Sequence, residues 1–536
     1  MRAFSLLFLS LVSAGATAQP LRKPKLIVNI VVSQLRYDYL LRYSENLSEG
    51  GFRRFMREGS DFTEARYNYM QTNTPAGLAT LTTGANPAIH GVVSDQWIDY
   101  VTNKPVYLGE DSRVRGVGAE LGYGSYSPNG LIAPTLGEQL LKESPKSRVI
   151  TVAAHPVSAV VMGGRTQEVY WMDTSQGTWV SSTAYIGTLP RWVADYNRMG
   201  PSNDYVNYTW HPLHSLDRYR NRNFSIMSVE APRFLKQEIG AVRRQQMERG
   251  PYTSMLYMPP GISLVKNFAK QVLIYERLGL DGHPDILNVC FDTSRYVDQF
   301  FGGESMEYED FFYRLDLELA EFTDFLFAQV PRSEVLLVLT SDHGASEPYD
   351  RGDKENERFS GTQFRLIMNG FLNAQYDTGD WVIAYRDRQL FLNRTLIYNS
   401  KLSLEEIQNR AADFARQFQG VSHVLTSSAL NSTYFSGGYA EKMQNSFYPK
   451  RSGDLILNLM PGWIEEDEAI RSMSGSLYGY DTHVPLLWLG LQIPAQRVRT
   501  PVDMQDVAPT LAHILGINRP EGATGAPIEK IVSYFE

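Results

Sequence analysis

The sequence predicts an α/β protein with a mainly parallel central sheet that is sandwiched by helices. Continuous apolar runs, rich in β-branched residues, recur at 26–32, 286–291, 335–340 and 485–490. Such runs are typical of parallel strands that are buried on both faces. Amphipathic stretches predict helices at 263–278, 308–329, 404–419 and 503–515. Strands that alternate with helices favour a parallel sheet.

The composition predicts a large globular protein. The chain has 536 residues, of which 43% are hydrophobic and 21% charged, and its net charge is −8. An acidic chain without basic runs gives no indication of nucleic-acid binding, and no internal apolar run reaches the length of a transmembrane segment. Cys290 is the only cysteine and lies in an apolar strand. We therefore predict a buried, inert thiol and no intramolecular disulfide.

The N-terminus has the features of a secretory signal peptide. Met1-Arg2 gives a basic start, an apolar run covers 4–12, and Ala16-Thr17-Ala18 offers a cleavage site of small residues. We assign 1–18 to this signal. The mature protein is then expected to be exported, either to the periplasm or in association with the cell envelope.

The rest of the chain divides into two parts of one core and an insertion. Residues 19–155 form the first part of the core and residues 258–536 the second part. Between them, 156–257 is rich in Tyr, Trp, Asn and Arg with weak apolar periodicity, and we predict an insertion or cap there. A second block, 347–397, is also irregular in pattern.

Candidate functional residues follow the predicted strands, where α/β sheets bind ligands. Asp342-His343 comes directly after the run at 335–340. A carboxylate next to an imidazole can form a metal-ligand pair, although a turn with a capping Asp and a surface His gives the same pattern.

Thr74 lies before Pro75 at a predicted helix start. Its hydroxyl there could be a nucleophile, since helix N-termini favour phosphate. A helix N-cap followed by Pro at the first position explains the same residues. His483, in the segment Tyr480-Asp481-Thr482-His483, would more often be structural when considered alone.

Taken together and in order, these segments resemble the alkaline phosphatase superfamily. The resemblance is closest to its exported phosphate-monoesterase branch, which is related to the type I phosphodiesterases and nucleotide pyrophosphatases. It extends from about residue 25 to 528 and includes the helix at 506–512. It implies a site with two zinc ions about 4 Å apart that activate a Thr or Ser nucleophile.

The resemblance places the nucleophile at Thr74 and implies a second metal site that is only partly preserved. Asp342 and His343 match two of its ligands. Ser33 stands where the family has an Asp after the first strand. The site would therefore keep one carboxylate and one imidazole.

The first metal site loses more of its implied ligands. His483 matches one of them. Arg295 stands at an Asp position and Gln299 at a His position, in a register fixed by Phe291 and by Phe301-Gly302. An Arg brings a fixed positive charge, so we expect no metal at this site.

Residues that contact phosphate in the family have changed as well. Asp95 stands at the position of an Asn and would repel phosphate. Arg165 matches one member of a Lys-x-Arg pair only if a gap is allowed. Both are retained as candidate substrate-binding residues.

Two further expectations follow for the degenerate site. Arg295 could pair with Asp342 and replace the lost metal charge. We expect no cofactor, or at most one weakly bound zinc ion at Thr74, Asp342 and His343, unless Asp292 or Asp298 swings into the gap.

These changes predict a catalytically impaired or inactive homologue that acts as a binding protein in the cell envelope. Its partner would be an unknown protein or a phosphate-bearing ligand. The alternative is a divergent metal-dependent phosphomonoesterase or phosphodiesterase that uses Thr74 as its nucleophile. A sulfatase-type activity lacks its nucleophile motif around Thr74.

Overall fold

The computed structural model describes residues 23–120, 123–221, 229–230, 250, 252–347, 358–467 and 470–536. The predicted signal peptide at 1–18 lies outside them. None of the helices in these ranges is both long and apolar enough to cross a bilayer.

A ten-stranded sheet forms the centre of the fold. From one edge to the other, its strands are Gln496–Val498, Ser60–Phe62, Leu486–Gly490, Val335–Thr340, Leu26–Val32, Asp285–Phe291, Val149–Ala153, Glu168–Asp173, Thr178–Ser182 and Gly116–Val117. Five consecutive strands, from Val335–Thr340 to Glu168–Asp173, are parallel. The prediction of an α/β protein with a mainly parallel sheet is confirmed.

Helices cover both faces of this sheet, and two large clusters of buried apolar side chains lie between the layers. The helices of the large-sheet region are Tyr37–Arg42, Phe52–Glu58, Thr74–Thr83, Pro87–His90, Leu136–Glu143, Pro156–Gly163, Arg191–Met199, Pro260–Tyr275, Thr293–Phe301, Met306–Gln329, Gly479–Thr482, Val507–Leu515 and Glu529–Val532. The predicted helices at 263–278, 308–329 and 503–515 are present with shifted ends.

The predicted insertion is continuous with the core at its beginning. Strands Glu168–Asp173 and Thr178–Ser182 extend the large sheet, and helix Pro156–Gly163 packs against its strands. The described residues beyond helix Arg191–Met199 are mostly short turns and irregular segments. The remainder of the insertion falls largely outside the described residues.

Residues 358–467 build a smaller lobe with its own apolar core. It contains an antiparallel sheet in the order Val382–Arg386, Gln389–Leu392, Leu455–Leu459 and Val421–Thr426. Its helices are Gly361–Gln375, Arg394–Asn399, Leu404–Ala415, Ser427–Ser432 and Gly438–Asn445. The block at 347–397 is therefore regular from residue 358 onward, because its apolar residues pack within this lobe rather than on the large sheet.

Four pairs of short strands complete the described structure. They are Ala65–Arg66 with Val502–Asp503, Gln96–Asp99 with Lys104–Tyr107, Thr209–Trp210 with Val229–Glu230, and Arg358–Phe359 with Ile464–Glu465.

The register of the central strands positions the site. Val31 lies opposite both Cys290 and Thr340 in the two neighbouring parallel strands. Because parallel strands end at the same edge of a sheet, the residues that follow them meet there. Ser33 and Asp342 are brought together in this way.

Candidate functional site

Four side chains form a hydrogen-bonded chain at the carboxyl edge of the sheet. The Ser33 hydroxyl donates to Asp342 Oδ2 over 2.6 Å and lies 3.1 Å from Thr74 Oγ1. Thr74 Oγ1 in turn lies 3.1 Å from His343 Nε2. All four side chains are buried. The structure thus brings Thr74, the predicted nucleophile, together with Ser33, Asp342 and His343.

Thr74 is the first residue of helix Thr74–Thr83, but it does not cap that helix. The cap is Asn73, whose side chain accepts a hydrogen bond of 3.0 Å from the Ala76 amide. The helix also approaches the Asp-His turn closely, since a Cβ on Gly77 would lie 1.9 Å from the Asp342 carbonyl oxygen. The Thr74 hydroxyl is consequently oriented towards the site and has no role in holding the helix end.

The hydrogen bonds of Asp342 and His343 define their chemical state. The Gln34 amide donates to Asp342 Oδ1 over 2.9 Å, so both carboxylate oxygens have donors. His343 Nδ1 lies 2.6 Å from the Gly344 carbonyl oxygen and must carry a proton there. Burial lowers the pKa of His343. The neutral ring therefore presents its unprotonated Nε2 to the Thr74 hydroxyl.

Arg295 lies beside this chain but does not pair directly with Asp342. Its Nη2 donates to the Tyr296 hydroxyl over 2.9 Å, and its guanidinium lies 4.7 Å from the centre of that ring. No ion pair within 4.0 Å joins Arg295 to Asp342, both of which are described. The predicted direct pair is replaced by hydrogen bonds from Ser33 and Gln34, which already hold the carboxylate. Arg295 raises the local positive potential over a longer distance.

Gln299 also lies at the site, where its side-chain amide donates to Gln34 Oε1 over 3.2 Å. The two carboxylates that might have filled the gap are engaged elsewhere. Asp292 accepts a hydrogen bond from the His155 amide, and Asp298 accepts one from the Ser472 hydroxyl. Neither is hydrogen-bonded to Asp342, whose partners are Ser33, Gln34 and Ser341.

His483 does not line the cavity that contains Arg295 and Gln299. Its Nε2 lies 2.8 Å from the Thr63 carbonyl oxygen, and its ring stacks on Tyr37 with the ring centres 5.0 Å apart. His483 is therefore not grouped with the other residues predicted for the first metal site, and its Nε2 is used in a contact with the backbone.

The two predicted phosphate-contacting residues have different positions. Asp95 lines the same cavity as Thr74 and Arg295. Arg165 lies exposed beyond helix Pro156–Gly163, where it donates to the Leu131 carbonyl over 2.5 Å and lies 3.6 Å from Glu138. The structure brings Asp95 to the site and leaves Arg165 outside it.

These groups surround a cavity of about 140 Å³ between the large sheet and the smaller lobe. It is lined by Gln71, Asn73, Thr74, Ser94, Asp95, Arg295, Gln299, His343, Asp387, Arg388, Glu465, Met473, Ser474 and Gly475. Asp387, Arg388 and Glu465 come from the smaller lobe and were not predicted. They belong to no motif, and only tertiary packing brings them to the site.

The donor set offers little to a metal ion. Among the described residues, no three His, Cys, Asp or Glu side chains are arranged as a metal-binding group. Asp342 and His343 supply one carboxylate and one imidazole, with the Ser33 and Thr74 hydroxyls beside them. A zinc site generally needs about four ligands of the anionic or imidazole type. The residues therefore do not fit a two-metal centre.

The chain has a mainly parallel sheet with a threonine at a helix start next to an Asp-His pair, and this arrangement identifies it as a member of the alkaline phosphatase superfamily. Within it, the chain belongs to the family of type I phosphodiesterases and nucleotide pyrophosphatases, which it matches over residues 27–477.

Several relatives are similar over nearly the whole chain. Alkaline phosphatase PhoV of Synechococcus elongatus is 30% identical over 96% of this chain and 94% of its own length. Alkaline phosphatase PafA of Elizabethkingia meningoseptica is 28% identical, with 95% of each chain covered. A Myroides odoratus protein described as a calcium-transporting ATPase is 30% identical over 97% of this chain and 96% of its own length.

Solved structures agree with this relationship. The crystal structure of wild-type PafA has a TM-score of 0.86 and 27% identity, covering 96% of this chain and all of that one. Murine ectonucleotide pyrophosphatase/phosphodiesterase 5 shares the fold with a TM-score of 0.54, at 12% identity and covering 92% and 95% of the two chains.

Proposed function

We propose that this chain is an exported member of the family that has lost two-metal hydrolysis and acts as a binding protein in the cell envelope. One observation carries the proposal. The guanidinium of Arg295 lines the cavity beside Thr74, at the position where the resemblance implies a metal-binding Asp.

The charge of Arg295 opposes a metal ion at this position. A guanidinium does not lose its proton in proteins. Two unit charges 4 Å apart interact by about 4 kcal/mol at an effective dielectric constant of 20, and a dication doubles this repulsion. Gln299 offers only a neutral amide in place of an imidazole, and the His483 ring nitrogen contacts a backbone carbonyl. The first metal site therefore lacks metal ligands, and its electrostatic potential is unfavourable for a cation.

The second site retains enough for at most one weakly bound zinc ion, at Thr74, Asp342 and His343. Such an ion would compete with the Ser33 hydroxyl for Asp342 Oδ2, which is already hydrogen-bonded over 2.6 Å. A weak site of this kind does not supply the paired cations on which two-metal phosphoryl transfer depends.

The place of action follows from the N-terminal sequence. The basic start, the apolar run and the cleavage site of small residues support export to the periplasm or the cell envelope. Its partner there would be a protein or a phosphate-bearing ligand.

The first experiment measures metal and turnover in the mature chain from residue 19. Zinc per chain is determined after purification in zinc-containing buffer, and aryl phosphate monoesters and diesters are assayed with added zinc. We expect less than one zinc per chain and background turnover that is the same in Thr74→Ala. Thr102→Ala, on the exposed surface, is the matched control. Two zinc ions per chain with turnover abolished only by Thr74→Ala would overturn the proposal.

A second experiment restores a ligand. Ser33→Asp gives the second site a second carboxylate beside Asp342 and His343, so we expect zinc affinity to rise about tenfold to a hundredfold or more, by analogy with the effect of supporting residues at metal sites. Ser44→Asp adds the same charge on the surface and should leave zinc affinity unchanged. Equal affinity in the two variants would show that Ser33 does not occupy a vacated ligand position.

The second candidate is a divergent metal-dependent phosphomonoesterase or phosphodiesterase. It is favoured by the 3.1 Å contact between Thr74 Oγ1 and His343 Nε2, which presents a hydroxyl to an acceptor, and by relatives that are named alkaline phosphatases. Turnover that requires both zinc and Thr74 would identify this function in the first experiment.

A further inference from the structure

We propose that the cavity binds a neutral primary carboxamide group, of the kind that ends a glutamine or asparagine side chain. The inference rests on the proposed binding function and names the chemistry of its ligand. It starts from two buried side chains of the cavity lining, Gln71 and Arg388, to which the motifs assign no role.

Gln71 supplies a hydrogen-bond acceptor. The residue is only 3% exposed, and its Oε1 has no hydrogen-bond partner in the described part of the chain. Its Nε2 donates to the Asp387 carbonyl oxygen over 3.4 Å. This contact fixes the orientation of the amide, because the reverse orientation would place two oxygens together. A ligand that satisfies Oε1 must therefore donate a hydrogen bond.

Arg388 supplies a hydrogen-bond donor. It belongs to the two-residue turn between strands Val382–Arg386 and Gln389–Leu392, where the φ angles of Asp387 and Arg388 are 47° and 60°. Arg388 is only 4% exposed, and its Nη1 finds no acceptor among the described residues. A buried donor of a charged group is costly to leave unsatisfied. A ligand that satisfies Nη1 must therefore accept a hydrogen bond.

The acceptor and the donor belong to one part of the cavity wall. Gln71 is tied to the turn that carries Arg388 through the Asp387 carbonyl. Arg388 Nη1 lies near Gly475, since a Cβ on that glycine would be 3.2 Å from it. The Gly475 amide in turn donates to Thr72 Oγ1 over 3.2 Å, next to Gln71 in the chain. A carboxamide carries an accepting oxygen and a donating nitrogen on one carbon, so a single group can serve both atoms.

The charges of the lining favour a neutral ligand. Two guanidinium groups, Arg295 and Arg388, line the cavity together with three carboxylates, Asp95, Asp387 and Glu465. A carboxylate ligand would meet repulsion from three like charges and would leave the unused acceptor unsatisfied. An ammonium ligand would be repelled by both guanidinium groups and has no atom that accepts a hydrogen bond. A carboxamide avoids both costs.

The size of the cavity limits how much of the ligand enters. Pockets that enclose whole small molecules usually measure about 300–1,000 Å³, whereas this cavity measures about 140 Å³. Only the end group of a larger ligand can be enclosed. The end of a glutamine side chain meets this requirement, because the peptide backbone that carries it stays outside.

The test compares three peptides that differ only in the charge of one side chain. Acetyl-Gly-X-Gly N-methylamide, with glutamine, glutamate or ornithine at X, is titrated against the mature chain and followed by ligand-observed NMR. We expect one saturable site for the glutamine peptide. The glutamate and ornithine peptides should bind at least about tenfold more weakly, because each leaves one buried group unpaired.

Two substitutions test the residues that recognise the carboxamide. Arg388→Met should lower the affinity for the glutamine peptide about tenfold to a hundredfold, because a hydrogen bond from a charged donor is lost. Gln71→Met should lower it about threefold to tenfold, because a neutral hydrogen bond is lost. Arg386→Met, beside the turn but outside the cavity lining, and Gln363→Met, on the exposed surface, are the matched controls and should bind normally.

The inference is overturned by any of three results. The glutamine peptide shows no saturable binding, so that the two buried atoms are served by water alone; the glutamate or the ornithine peptide binds as tightly as the glutamine peptide; or Arg388→Met and Gln71→Met both bind like the parent chain. The comparison of the three peptides on the parent chain decides the matter should either variant fail to fold.

Two further comparisons identify the source of the carboxamide and separate this inference from the proposed function. Propanamide carries the same group without a peptide backbone, and we expect it to bind more weakly than the glutamine peptide; equal affinity would reject a peptide as the source. Selective binding of the glutamine peptide by a chain that proves to be an active zinc hydrolase would retain the carboxamide site and reject the proposed function. An inactive chain that does not bind this peptide would do the reverse.

Discussion

Replacing Ser33 with Ala tests how this protein holds the carboxylate at its site. Asp342 is fully buried, and the Ser33 hydroxyl donates to its Oδ2 over 2.6 Å. The Gln34 amide serves the other oxygen over 2.9 Å. Ser33→Ala therefore leaves one oxygen of a buried carboxylate without its short donor, while the second hydrogen bond remains.

The expected loss follows from the kind of hydrogen bond removed. Hydrogen bonds to charged groups contribute about 1.5–3 kcal/mol, and a buried partner left unsatisfied costs a similar amount. We therefore expect the free energy of unfolding to fall by about 1.5–3 kcal/mol. Ser44→Ala removes an exposed hydroxyl that donates to the Leu41 carbonyl, and such surface changes usually stay within about 0.5 kcal/mol.

Urea unfolding followed by tryptophan fluorescence in a chelator measures both variants. The same unfolding experiment with added zinc shows whether a cation can replace the Ser33 proton at Asp342. If it can, the decrease in the free energy of unfolding of Ser33→Ala becomes smaller. A loss below about 0.5 kcal/mol without zinc, equal to that of Ser44→Ala, would refute the account of Asp342 as a carboxylate stabilised by hydrogen bonds.

Three further predictions concern the core around the site. Burial raises the pKa of Asp298 to about 7 from an ordinary value of 3.8, so the folded state binds more protons and the free energy of unfolding should fall as pH rises from about 4 to 7. Asp298→Asn should flatten this decline, as urea unfolding at several pH values would show. Gly77→Ala should lower the free energy of unfolding by about 3 kcal/mol or more, because its Cβ would meet the Asp342 carbonyl oxygen. Gly370→Ala, which has open space around it, should leave the free energy of unfolding unchanged. Thermal melting of the two variants would show the difference. Cys290, fully buried with a raised thiol pKa, should react with a thiol reagent only after unfolding; rapid labelling of the native chain would contradict this.

The sequence predicted those parts of the structure that depend on local pattern and register. The apolar runs at 26–32 and 335–340 form adjacent parallel strands, as expected for strands covered on both faces. Because strand ends share one edge, the sequence predicts Asp342 and His343 at the carboxyl edge of the sheet, and the resemblance to the alkaline phosphatase superfamily places Thr74 beside them.

The remainder depends on contacts that no local pattern encodes. The direction of the His483 side chain is set by its contact with the Thr63 carbonyl. Arg388 enters the cavity because the smaller lobe packs against the sheet edge, far along the chain from Thr74. The partner of Asp342 was misassigned because a nearby hydroxyl competes with a more distant guanidinium, and only the backbone geometry decides between them.

Asn73 caps the helix and the adjacent Thr74 faces the site, so helix capping and contact with a ligand depend on different side chains. The helix end depends on the Asn73 side chain, so the Thr74 hydroxyl can be removed without loss of that capping interaction. Replacements at Thr74 should therefore alter ligand contacts while leaving the helix start in place. The residue at this position can therefore change its chemistry without loss of the hydrogen bond that starts the helix.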